Sequence, residues 1–387
     1  MGLFKFEDDP LKHYVRTEAW LPTCRRRLRQ VRAKAAKPGK ARRLRYFTFC
    51  AIGATDVLML DVAKVIRRST NQEFDTVVFF DRGDLEVIET QKRIPGAHGY
   101  PGDFVKIVLL EDPEEQAAVN ALEALNAPPD EPDKAETRAR QRNIALRQRL
   151  IQEFPFDVIN LDLEGYFFTP GDPFPGRLIR ALRKLLDWQK IPVNDGTPTG
   201  EHLDGFSLMF TTQIGPPNLT EEYLEMLRNA IQGNLDRAAE LRDLLQQRAG
   251  SADPAQVQAA NFALFFRVAL PKLILAMLLE ADWYADPQLG VKLYEIERPS
   301  KDGPYTMLHA VVDVKRQNPP STDRAPGAGH AAEALAAYQL TAREIFIRQE
   351  VSVTEAIIDE PVLQESLDRI AARRRMYYPE VEENLGD

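Results

Sequence analysis

The stretch Tyr46-Phe47-Thr48-Phe49-Cys50-Ala51-Ile52-Gly53-Ala54-Thr55-Asp56 decides the fold. Tyr46 to Cys50 alternates aromatic and small residues, as a strand does, and Ala51 to Thr55 is a small-residue run containing Gly53. Asp56, an N-cap or first-turn residue, opens a helix whose apolar positions are Val57, Leu58, Leu60, Val62, Val65 and Ile66. A second strand, Thr76 to Phe80, is continuous in β-branched and aromatic residues, as a strand covered on both faces requires, and it ends at Asp81. Strand, tight loop, helix and strand together open a βαβ unit.

Working outward, the pattern repeats. A short helix through Leu85, Val87 and Ile88 precedes an irregular glycine-rich piece, Gly96 to Gly102, that reaches Asp103. Phe104 to Leu110 fits a strand or a buried helix equally, and Pro113 to Arg149 reads as two surface helices flanking a proline-interrupted loop. Phe156 to Leu161 is the next strand. It ends in Asp162, with Leu163, Glu164, Gly165 and Tyr166 as a loop. A helix at Gly176 to Gln189 and a strand at Phe206 to Thr211 follow. Alternation of this kind predicts an α/β fold with a Rossmann-like, doubly wound, mostly parallel sheet, whose ligands sit at the carboxyl ends of the strands. Leu219 to Gln247 and Pro254 to Asp282 read as two long helices of an insertion, about 218–285, and Val291 to Glu297 with Met307 to Lys315 as a terminal antiparallel hairpin. The expected division is a basic arm over 1–45, the sheet domain over 46–317, and a linker with a helical tail over 318–387.

Composition narrows the function classes. A net charge of −8 excludes a protein that coats nucleic acid or anionic membrane everywhere, so any basic contact is local. That contact has a candidate: from Cys24 to Arg45 the chain carries Arg25, Arg26, Arg27, Arg29, Arg32, Lys34 and further cations, with no acidic residue. Such a run either contacts phosphates by displacing counterions, or is a solvated helix and linker, or a surface that docks an acidic partner. The helices at 218–282 are a second candidate contact surface, for a protein partner. Two cysteines, Cys24 and Cys50, make no disulfide framework, and the start MGLFKFEDDP lacks a secretory or myristoylation pattern. The most apolar stretch, Asn261 to Leu279, is interrupted by Arg267, Pro271 and Lys272 and reads as a buried helix rather than a membrane span. The expectation is therefore a cytoplasmic protein without a membrane anchor.

Put together, the strand ends carry the loop with Gly53, then Asp81, Asp103 and Asp162. This ordered set resembles the class I S-adenosylmethionine-dependent methyltransferases. The segment Asp162-Leu163-Glu164-Gly165-Tyr166 looks like the D-P-F-G loop of the guanine-N2 tRNA methyltransferases and the three-Cys-motif partner proteins. Asp162 and Gly165 match, while Leu163 and Glu164 replace the proline and the aromatic. The resemblance covers roughly Tyr46 to Gln317. It implies S-adenosylmethionine as cofactor and a nucleic acid or nucleotide-like methyl acceptor. The first loop, with Cys50 and Gly53, would lie along the methionine moiety, Asp81 would accept the ribose hydroxyls, and Asp103 would face the adenine amine. Asp162, Glu164 and Tyr166 would stand at the transfer centre. Asp81 also reads as a turn or helix cap, Asp103 as a turn residue, and Glu164 with Tyr166 as an exposed loop pair.

Two other readings come from different classes. Active members carry two or three glycines in the first loop and this chain has one, which favours a methyltransferase-like scaffold or sensor without activity. Asp313-Val314-Lys315, with Glu295 and Glu297 on the neighbouring strand, has the carboxylate-x-lysine spacing of metal-dependent nucleases, and a cross-strand ion pair explains it as well. The five histidines are scattered without metal-ligand spacing, and no G-x-S-x-G elbow occurs.

Overall fold

Runs of β-branched and aromatic residues build a nine-stranded mixed sheet that is buried on both sides, as a mostly parallel sheet must be. The computed structural model describes residues 10–34, 43–50, 53–113, 116–117, 134–168, 176–192, 203–215, 219–236, 239–286, 291–298, 305–316, 351–353 and 360–377. Strands β1 (Tyr46–Phe49), β2 (Val77–Asp81), β3 (His98–Pro101), β4 (Val158–Tyr166) and β5 (Gly205–Gln213) run parallel in the order β3-β2-β1-β4-β5. Beyond β5 lies the antiparallel β8 (Tyr305–Arg316), flanked by β6 (Trp283–Ala285) and β7 (Val291–Arg298). The expected hairpin is present in β7 and β8, and the residues joining them lie outside the described ones.

Alternation along the strands sends side chains into two cores. Phe47, Val78, Phe80, Ile159, Leu161 and Phe210 face one side. There they meet α5 (Phe104–Leu109), α6 (Lys134–Gln152), α7 (Arg177–Trp188) and four further helices, α8 (Glu221–Leu235), α9 (Ala239–Ala249), α10 (Pro254–Ala260) and α11 (Phe262–Glu280). Tyr46, Val77, Phe79, Val158 and Met209 face the other side, under α3 (Thr55–Val62) and α4 (Asp84–Arg93).

Several expectations need correction. Of the two forms open to Phe104 to Leu110, Phe104–Leu109 takes the helix, but the glycine-rich piece before it is not irregular throughout: it contributes β3, whose Tyr100 is fully buried. The segment after Asp162 is no loop: β4 runs on through Tyr166, which pairs with Gln213 across an irregularity in register. The two long helices are four: the first is divided into Glu221–Leu235 and Ala239–Ala249, and the second is divided where Asn261 caps a new helix with its side-chain oxygen. Helix α11 is long and apolar enough to cross a membrane, yet Phe265, Phe266, Leu270 and Leu278 are buried in the protein core.

The basic run is also no free arm over its first half. Helix α1 (Pro10–Val15) passes through a π-helical turn, Arg16–Trp20, into α2 (Leu21–Lys34). Val15, Ala19, Trp20, Cys24 and Leu28 pack into the same core as α3. The tail returns to the sheet as well: β9 (Val351–Val353) pairs with β7, and α12 (Glu360–Tyr377) buries Ile370 against the α3 side.

Candidate functional site at the carboxyl rim of the parallel strands

The carboxyl ends of the parallel strands converge on a cavity of about 330 Å³. The first strand delivers Phe49 and Cys50 to its wall, and α3 delivers Thr55 and Asp56. Between them Ala51 and Ile52 lie outside the described residues, and Ala54 adopts a left-handed conformation, φ 49°, at the helix start. Asp56 sits in the first turn of α3, where a carboxylate complements the helix dipole. It accepts hydrogen bonds from the Tyr46 hydroxyl at 2.9 Å and the Thr48 hydroxyl at 2.8 Å, and Asn160 donates to the same Tyr46 oxygen at 3.1 Å. These bonds tie the first loop to the centre of the sheet. Burial and the Asp56 charge push the Tyr46 phenol far above its ordinary value, so it remains a neutral donor.

The neighbouring strand ends complete one wall. Asp81 closes β2, and one of its oxygens accepts the backbone N–H of Arg82 at 2.7 Å. Gly102, at φ +111°, turns the chain into Asp103, where a side chain would be strained. Asp103 caps α5, accepting the amides of Val105 at 2.9 Å and Lys106 at 3.2 Å. The turn and cap roles weighed for these two residues are thus real, and both side chains line the cavity all the same. Phe49, Phe80 and Phe104 form an aromatic side to it, with Phe104 meeting the other two rings edge-on at 5.0 and 5.2 Å between centroids.

The opposite end holds Asp162, Leu163, Gly165 and Tyr166 of β4, together with Lys12 and Arg16 of the N-terminal helical segment. Lys12 Nζ lies 2.7 Å from Asp162 Oδ2, and both side chains are almost wholly buried. Asp162 Oδ1 is buried with no hydrogen-bond partner among the described residues. Burial would raise the Asp162 pKa, but Lys12, Arg16 and His309 outweigh it and hold the carboxyl below its ordinary range. The strand register sets Asp162 opposite Thr211 and Thr211 opposite His309, and the Thr211 hydroxyl bonds His309 Nδ1 at 2.8 Å.

Of the sequence candidates, Cys50, Asp81, Asp103, Asp162 and Tyr166 come together in this cavity. Gly53 is buried but does not line it, and the Glu164 side chain lies outside the described residues. Sequence reasoning missed Lys12 and Arg16. Their signal was two cations one helical turn apart, beside the apolar Val15, Ala19 and Trp20.

The carboxylates of the nuclease pattern do not converge. Asp313 is bound by Arg26, by Arg27 at 3.6 Å and by the Ser207 hydroxyl at 2.7 Å. Lys315 pairs with Asp286 at 3.1 Å, and Glu295 is held by Arg267 and stands opposite Leu308, far along β8 from Asp313. Among the described residues no group of three or more His, Cys, Asp or Glu side chains is arranged to hold a metal ion. No family model matches the sequence, and no curated protein matches it.

Proposed function

We propose that the sheet is a Rossmann-like methyltransferase scaffold and that the rim cavity binds S-adenosylmethionine for methyl transfer to a nucleic acid or nucleotide-like acceptor. The observation that carries the reading is the cavity itself: Cys50, Asp81, Asp103, Asp162 and Tyr166, drawn from four separate strand ends, line one space. Its volume lies in the range of small-molecule sites. The order β3-β2-β1-β4-β5, followed by an antiparallel hairpin, is compatible with this reading, and doubly wound sheets bind ligands in the crevice at the carboxyl ends of their strands.

The residues present fit the cofactor. Asp81 at the end of its strand could accept the ribose hydroxyls, and Phe49, Phe80 and Phe104 offer apolar surface to an adenine ring. When bound, S-adenosylmethionine supplies an electrophilic methyl group. The protein's own part is positioning, since in-line approach of the acceptor needs little acid or base help. Tyr166 and Asp162 orient the acceptor at the far end. Titration calorimetry with S-adenosylmethionine and S-adenosylhomocysteine tests this: heat with micromolar saturation is expected, and silence at high protein concentration removes the enzyme reading.

A contact with nucleic acid is supported by what remains exposed on α2. Arg26 and Arg27 are engaged by Asp313, but Arg25 and Arg29 are exposed one helical turn apart and Arg32 is partly so. We expect single-stranded RNA or DNA binding that weakens steeply with salt, and the double variant Arg25→Ala, Arg29→Ala to reduce the salt slope by about 1.4. A scaffold or sensor without activity is favoured instead by the first loop, in which Gly53 is the one glycine between Cys50 and Asp56. In that case no acceptor is ever methylated.

A further inference from the structure

We infer that Lys12 and Arg16 are positioning residues of the transfer end, which fix Asp162 as a carboxylate with one oxygen, Oδ1, left to accept an N–H from the methyl acceptor. The inference rests on the methyl-transfer reading of the same cavity.

The geometry separates the two oxygens of Asp162. Oδ2 is taken by the Lys12 ammonium at 2.7 Å, whereas Oδ1 is buried in the cavity lining with no hydrogen-bond partner among the described residues. A buried acceptor left unsatisfied costs about 1–3 kcal/mol. An oxygen kept open at the wall of a cavity is what a binding site retains.

The cations are held, not draped. Val15, Ala19 and Trp20 seat the N-terminal segment in the core, and His13 Nε2 lies 3.0 Å from the Ser366 hydroxyl of α12. Lys12 and Arg16 enter the cavity from this segment and are each 3% exposed. The groups that face Asp162 are therefore Lys12 and Arg16 from the N-terminal segment, Thr211 from β5, His309 from β8 and Tyr166 from its own strand, with Asp81 and Asp103 at the other strand ends of the cavity. The cations around it hold the carboxyl ionised, so Asp162 is a weak base and a strong hydrogen-bond acceptor. Its role is to orient the N–H and to stabilise the positive charge that grows on nitrogen as the C–N bond forms. The C–S bond breaks with its electron pair going to sulfur, and the proton leaves afterwards to water.

Two measurements test this without turnover. The first follows the Asp162 carboxyl by carbon NMR in ¹³C-aspartate-labelled, cofactor-free protein, with the resonance assigned by Asp162→Asn. Lys12→Met is expected to move its titration upward and Lys12→Arg to restore it, with Arg16→Met as a second upward shift should Lys12→Met not fold. The second compares calorimetric binding of S-adenosylhomocysteine with that of sinefungin, which carries an amine where the cofactor carries its methyl group. Sinefungin is expected to bind at least tenfold tighter to the wild type and to lose that advantage in Asp162→Asn. An unchanged Asp162 titration in Lys12→Met overturns the inference while leaving the cofactor reading intact. Failure of both analogues to bind removes the cofactor reading, whatever the carboxyl titration shows.

Discussion

Two carboxylate clusters sit at different places on one sheet, and their neighbours give them opposite fates. At the antiparallel end, Asp313 is 4% exposed and closed by Arg26, Arg27 and Ser207, which makes it a fastening between α2 and the strands beneath. At the parallel rim, Asp81 and Asp103 meet mostly backbone amides at short range and open onto a shared cavity. Asp162 stands between these cases, with one oxygen fastened and one open. The lesson is that residue type and strand-end position do not distinguish a site from a strut. What distinguishes them is whether cations from another element have closed the carboxylate, and only the tertiary structure supplies those.

The sharpest way to break the contrast is at Asp313. Asp313→Ala leaves two largely buried guanidinium groups uncompensated, and breaking a buried pair from one side typically costs about 3–5 kcal/mol. We expect a loss of that size in urea unfolding, with no change in binding of S-adenosylmethionine by the folded fraction. A stability change below about 1 kcal/mol would show that this cluster is not a fastening.

Asp162→Asn is expected to come next, at about 2–3 kcal/mol near neutral pH, because Lys12 then faces a neutral amide in a buried place. Its pH dependence has a definite sign. The folded-state pKa of Asp162 lies below its ordinary value, so its contribution is present above the unfolded carboxylate pKa and is lost as pH falls through the folded one. The stability gap between wild type and Asp162→Asn should therefore be widest near neutrality and close in strong acid. A gap that widens on acidification would contradict the ion pair.

The parallel strands and the hairpin were legible because continuous apolar runs such as Val77 to Phe80 have few other uses. β3 was not, since His98-Gly99-Tyr100-Pro101 has no strand pattern of its own and is recruited by pairing with Val78 to Asp81. The strand beyond Asp162 was hidden by Gly165 and by charge, although Tyr166 keeps its place against Gln213. Charge also masked the packing of α2: Cys24, Leu28 and Val31 recur at helical spacing inside the arginine run, and that stripe was the sign of a packed helix rather than a solvated one. At the site, four acidic or small strand ends could be read one by one. The Lys12 to Asp162 pair could not, because it joins residues 150 positions apart through packing that no local pattern encodes.

Asp103 offers a smaller effect that separates two roles in one residue. As the cap of α5 it accepts two backbone amides, and Asp103→Ala should cost about 1 kcal/mol. Asp103→Ser keeps a capping oxygen but shortens the reach into the cavity. We expect Asp103→Ser to recover most of the stability and little of any adenine recognition, read as affinity for S-adenosylhomocysteine by calorimetry. Equal recovery of both would assign Asp103 to the cap alone.

The smallest change in stability is expected at Asp81, and there the contrast with Asp313 becomes complete. Its carboxylate is half-buried and receives the amide of the next residue, a bond that water can replace, so Asp81→Ala should shift stability by no more than about 0.5–1 kcal/mol. The same carboxylate is the proposed ribose acceptor, and two charge-assisted hydrogen bonds lost together should weaken S-adenosylhomocysteine binding by about tenfold or more. Asp81→Glu sharpens the point: it keeps the charge, moves the oxygens outward by one methylene, and should fail to restore binding if geometry at the strand end is what matters. A variant that binds as tightly as the wild type, with the protein folded, would leave the cavity without its ribose anchor, and the rim carboxylates would then be no more than caps and turns.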